Sequence, residues 1–75
     1  MISEHAQVVV VEDLTDLPVC AGDIGTVVHV YEEGKAYEVE FISLVGQTVG
    51  VATLPAAKVC AFVEGEIAHA RLMAA

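Results

Sequence analysis

Tryptophan is absent from these 75 residues and cations are scarce: Lys35, Lys58 and Arg71 stand against 11 carboxylates, for a formal net charge of −8. Without tryptophan, and with two Tyr and two Phe in a chain that is 56% apolar, the interior is expected to be filled by small aliphatics, chiefly Val and Ala. The shortage of cations disfavours nucleic acid as a partner, because a binder neutralises phosphates with clustered Lys or Arg. No run is long and apolar enough to span a bilayer, and Met1-Ile-Ser-Glu-His lacks the basic start and apolar stretch of a secretory signal. The expectation is a cytoplasmic chain with no membrane partner. Cys20 and Cys60 lie far apart without a CxxC pair, so in a reducing compartment they are expected as free thiols packed as small hydrophobes.

The length allows one domain, and a domain this small buries only about 60% of the surface its unfolded chain exposes. More apolar side chains are present than so small an interior can hide, which points to an interface with a second copy or with another protein. The acidic excess keeps an Ala/Val-rich surface soluble, and it would also favour encounter with a basic partner surface.

Val-rich segments set the fold class, because the branched Cβ suits a pleated sheet better than a helix. Residues 7–11 (QVVVV) form a first strand, followed by an ordered loop over residues 13–22 pinned by Leu14, Leu17 and Val19. Gly22 and Gly25, just before the second strand, mark a place that needs positive φ or close backbone approach. The second strand covers residues 26–31, and the Gly-containing stretch 32–35 makes a hairpin to the third, residues 36–42. In that third strand Tyr37, Val39 and Phe41 alternate with Glu38 and Glu40, so one face is core and the other wet. Residues 43–47 turn into a fourth strand, 48–54, where Gly50 suggests a bulge or bend. Pro55-Ala-Ala-Lys58 interrupts the ladder before a fifth strand at residues 59–63.

Five short strands with a long first loop and a one-turn interruption before the last have the layout of a small all-β, SH3-like barrel. Domain 1–63 is followed by a tail, 64–75, whose Ala, Leu, Met and Arg favour helix but whose length leaves it helical only if docked and otherwise disordered.

The stretch Gly22-Asp-Ile-Gly-Thr-Val-Val-His-Val-Tyr-Glu-Glu-Gly-Lys-Ala-Tyr-Glu-Val-Glu-Phe41, followed by Thr53-Leu-Pro55, resembles a small bacterial family catalogued as a domain of unknown function of the DUF4926 type. The likeness runs over about residues 7–63. It implies an SH3-like fold and brings no established catalytic or binding residues. Proteins of this kind look like companions of neighbouring bacterial or mobile-element genes, in some cases of toxin–antitoxin type, which implies a protein partner encoded nearby.

Residues able to carry chemistry have no supporting pattern. His5, His29 and His69 with Cys20 and Cys60 lack the close pairwise spacing of a zinc site, and read as one strand histidine, two buried thiols and two exposed terminal histidines. Glu38 and Glu40 share a strand face, but paired catalytic carboxylates need a cleft and one raised pKa. No serine or threonine sits in a nucleophile pattern, and Gly22-x-x-Gly25 lacks the GK[ST] signature of a phosphate loop. No cofactor is implied. Proline-peptide binding needs an aromatic groove, whereas at least two of Tyr31, Tyr37, Phe41 and Phe62 belong in the core; an exposed sheet edge could instead accept a partner strand.

The expected surface site is an outward group of His29, Tyr31, Glu38 and Glu40. Outward His29 and Tyr31 require Val28 and Val30 to face the core. The leading expectation is a non-enzymatic interaction module, antitoxin-like or accessory to a neighbouring gene product. The alternative is a homo-oligomer whose small-molecule or enzymatic site forms only at a symmetric interface.

Overall fold

In the computed structural model, which describes residues 2–72, five antiparallel strands form one sheet: β1 (Gln7–Val10), β2 (Ile24–Tyr31), β3 (Ala36–Ile42), β4 (Thr48–Pro55) and β5 (Val59–Ala61). Their order across the sheet is β4-β3-β2-β1-β5. Single 3₁₀ turns at Glu32–Gly34 and Ala56–Lys58 are the regular helical structure among the described residues, so the chain is all-β. The barrel expected from the sequence is not closed, because β4 and β5 are the two edges and do not pair with each other.

Valine dominates the core, with Val8, Val10, Val27 and Val39 fully buried around Tyr37, Phe41 and Leu54. Each such valine contributes about 1.5–3 kcal/mol relative to leaving it exposed. Alanine does not share this role: among the described residues no alanine is buried in the core, and Ala52 merely packs against the cluster. A methyl group buries too little area to anchor a sheet face, so the inward positions that match across strands go to valine and the aromatics. Tyr37 is buried, yet its hydroxyl reaches the rim and accepts a hydrogen bond from the Ile2 amide at 3.1 Å.

The loop between β1 and β2 packs over the sheet beside β4. Val19 is buried, and Leu14 and Leu17 pack against the core as the sequence leads one to expect. Gly50 makes room for this packing, since a Cβ there would sit 2.6 Å from Leu17 Cδ2. The loop is held by its own acids: Asp13 Oδ1 accepts from the Ala21 amide at 2.9 Å and Asp23 Oδ2 from the Cys20 amide at 2.8 Å. Gly22 and Gly25 answer two different needs. Gly22 has φ +92°, while a Cβ on Gly25 would overlap the Val39 side chain and come within 2.8 Å of Phe41.

Of the two states expected for the tail, the helical one is not adopted over the described residues. Residues 64–72 contain no helix, and the last three positions of the tail, 73–75, lie outside the described residues. Gly65, with φ +94°, turns the chain where a helix would have to begin, and the Glu66 carboxylate and amide both bond back to Val63. Beyond it Arg71 grips Asp23 through two nitrogens, one bond being Nε to Oδ1 at 2.8 Å, and donates from Nη2 to the Pro18 carbonyl at 3.0 Å. These long-range bonds fix an extended path that local helix propensity does not override. β5 also ends at Ala61, two residues short of the expected strand.

Candidate functional site: an acidic sheet face

The outer face of β2 and β3 is set by one extra residue. Val27 pairs with Val39, but the next pair is His29 with Glu38, so Val28 is a bulge with no partner of its own. A bulge shifts the alternation by one. Val27 is therefore buried, Val30 also packs on the core, and both His29 and Tyr31 emerge on the opposite face. The condition that Val28 and Val30 both face inward is thus met only at Val30, with Val27 taking the other inward place.

On β3 strict alternation puts Tyr37, Val39 and Phe41 inside and Glu38 and Glu40 outside. The four residues expected at a surface site therefore share one face, and three of them touch in sequence. The His29 and Tyr31 rings meet edge to face, with centroids 4.4 Å apart and planes at 76°. The Tyr31 hydroxyl donates to Glu38 Oε1 at 2.6 Å. Glu40 sits apart from this chain of contacts and accepts from Thr48 Oγ1 on β4 at 3.1 Å. Opposite them on β4 stand Thr53, paired with Glu38, and Val51, paired with Glu40.

The bond to Glu38 holds the Tyr31 phenol above its ordinary pKa, helped by partial burial and the carboxylate charge and opposed by the Thr53 hydroxyl. A phenol held in its protonated form is a hydrogen-bond donor rather than a base. Glu38 and Glu40 lie on the outer face of β3, half-buried.

Two clefts flank the sheet. One, of about 450 Å³, lies between β1–β2 loop residues 13–17 and β4 residues 51–55. The other, of about 690 Å³, lies between the β3–β4 turn and the tail, with Ile24, Phe41, Leu44, Val49 and Leu72 in its wall. Among the described residues no three His, Cys, Asp or Glu side chains come close enough together to hold a metal ion. No helix among them is long and apolar enough to cross a membrane.

Both cysteines are free, but they are not buried: Cys20 is half-buried and Cys60 exposed. Alternation on the short edge strand β5 explains Cys60, since its neighbour Val59 takes the inward place. Phe62 is likewise exposed, which leaves Tyr37 and Phe41 as the two aromatics of the core.

Two ion pairs were not foreseen. Lys58 pairs with Glu12, and Arg71 with Asp23. The other nine carboxylates have no cationic partner among the described residues. Sequence spacing gives no sign of either pair, because each joins segments brought together by the sheet.

The fold and this face define a small all-β domain that displays an acidic, aromatic-edged sheet surface. Residues 4–61 match the family model described as "Domain of unknown function (DUF4926)", and the chain belongs to that family. Comparison with the curated proteins and with the solved structures found no match.

Proposed function

We propose that this chain is a non-enzymatic protein-interaction module whose partner is a basic protein, encoded by a neighbouring gene and neutralised or accompanied by it in an antitoxin-like or accessory role. The observation that carries this reading is the charge: nine carboxylates without a cationic partner, Glu38 and Glu40 among them, on a surface that also exposes Leu44 and Val45 at 93% and 83%. An uncompensated field of one sign raises encounter rate and selectivity toward an oppositely charged surface, and exposed apolar side chains beside it supply area to bury. His29, Tyr31, Glu38 and Glu40 are the polar anchors of that surface in this reading.

A homo-oligomer with a site at its symmetry axis is the second reading, favoured by the same exposed apolar residues. Charge opposes it, because each copy brings −8 to the interface. Titration calorimetry with the purified product of the adjacent gene tests the proposal. Binding that weakens as salt rises supports it; no heat at any salt concentration removes it.

A further inference from the structure

β4 is an edge strand, and alternate backbone N–H and C=O groups of an edge strand point away from the sheet. Among the described residues, nothing outside the β3–β4 ladder hydrogen-bonds to the backbone of residues 49–54. Edges of this kind are ordinarily blunted by charge, proline, a bulge, shortness or a covering loop. The eight residues of β4 carry no charge. Its bulge falls at Val49, next to Gly50, and its one proline is the last residue, Pro55. Residues 50–54 carry no charge, proline or bulge; the β1–β2 loop lies beside them on the inner face, with Leu17 against Gly50, and leaves a cleft there. By contrast, the other edge, β5, is three residues long.

The cleft of about 450 Å³ runs along this stretch, with β4 residues 51–55 as one wall and loop residues 13–17 as the other; Lys58, whose charge is paired with Glu12, also lines it. Its loop wall offers Leu14 and Leu17 together with Asp13 and Asp16. On the outer face, Val51 and Thr53 stand beside Glu40 and Glu38 of β3. A strand added to β4 would lie two strand spacings from β3, about 9–10 Å, a gap that a lysine and a glutamate side chain reaching toward each other can bridge.

We propose that the free edge of β4 takes up an extended, basic segment of the partner protein as a sixth strand. Its outward Lys or Arg side chains face Glu38 and Glu40, and its inward small apolar side chains fill the cleft against Leu14 and Leu17. This rests on the interaction reading above and adds the surface and the shape of what binds there. Charge selects this occupant over a second copy of the chain, because β4 of a copy would bring no cation to the acidic rim and a net −8 with it.

The test is an NMR titration of the isotopically labelled full chain with a synthetic peptide of alternating Lys and Val, and with its Glu–Val counterpart. The proposal expects amide shifts and slowed hydrogen exchange at residues 50–54 with the Lys–Val peptide alone. It also expects affinity to fall at least about tenfold in Val51→Lys, whose side chain is half exposed, so that an unchanged spectrum elsewhere certifies its fold. Shifts confined to residues 44–45 and 68–72, equal binding of both peptides, or unchanged affinity in Val51→Lys would each overturn it. So would a β4-mediated dimer seen by light scattering. If the adjacent gene product binds Val51→Lys as tightly as the native chain, strand addition fails while the interaction reading stands; if that protein binds neither form, both fail.

Discussion

The Tyr31 hydroxyl and Glu38 Oε1 lie 2.6 Å apart across the β2–β3 pair, with His29, the register partner of Glu38, set edge-on against the Tyr31 ring. The bulge at Val28 creates this relationship, since without it the alternation set by Val27 would carry His29 and Tyr31 to the inner face. The protonated phenol is the bonded form, so Tyr31 is raised by its folded environment and its contribution to stability is present below the unfolded pKa and lost as pH rises through the folded one. Glu38→Gln should bring the Tyr31 titration, followed by the ring ¹³C shift, down toward that of an ordinary tyrosine. A titration unchanged in the variant would mean that burial, not Glu38, sets the shift.

Asp23 behaves with the opposite sign. The Arg71 hydrogen bonds hold its carboxyl below the usual value, against the opposing effect of partial burial. A depressed folded pKa gives stability that is present above the unfolded pKa and is lost as pH falls through the folded one. Arg71→Ala should therefore raise the Asp23 pKa in a carboxyl ¹³C titration and flatten the acid limb of the stability curve. It should also release the tail over residues 64–72, which amide exchange would report.

Gly25 leaves no space for a side chain between β2 and the Val39 and Phe41 side chains. Gly25→Ala should lower unfolding free energy by about 1–3 kcal/mol, the cost of overpacking a tight core site. Urea denaturation with an unchanged m-value is the check.

The β2–β3 turn stores strain that can be relieved. Glu32 and Glu33 have φ of 43° and 56°, a region where side chains other than Asn, Asp and Gly are disfavoured. Glu33→Asn should stabilise the domain by roughly 0.5–1 kcal/mol, because Asn tolerates the left-handed conformation. Glu33→Gln serves as the charge control. Equal gains from both would trace the effect to lost repulsion instead of backbone strain.

The parts of this structure legible in the sequence are those governed by local alternation. Residues 36–42 are read correctly to both ends because Tyr37, Val39 and Phe41 alternate with glutamates, and Leu14, Leu17 and Val19 are recognisable as anchors in a polar loop. The Val28 bulge is not legible. Thr26-Val-Val-His-Val-Tyr31 is compatible with either parity, and only the pairing with β3 decides between them. Alternation alone puts Glu38 and Glu40 on the outer face, whereas the outward placement of His29 and Tyr31 depends on the bulge, and the contacts Tyr31–Glu38 and Glu40–Thr48 cannot be foreseen. Which of its two expected states the tail takes is not legible, because Ala, Leu and Arg favour helix locally, while Gly65 and the Arg71–Asp23 bonds act over a range that propensity does not sense. The missing closure between β4 and β5 also escapes the sequence, since strand count does not fix whether two edges meet.

The proposed function pairs this acidic domain with a basic partner protein in preference to a second copy of itself. Absolute mass by size exclusion with light scattering, on the full chain over a range of concentrations and then mixed with the adjacent gene product, addresses both halves at once. The account predicts a monomer alone and a salt-sensitive heterocomplex in the mixture. A concentration-independent homo-oligomer that leaves the partner protein unbound would contradict it.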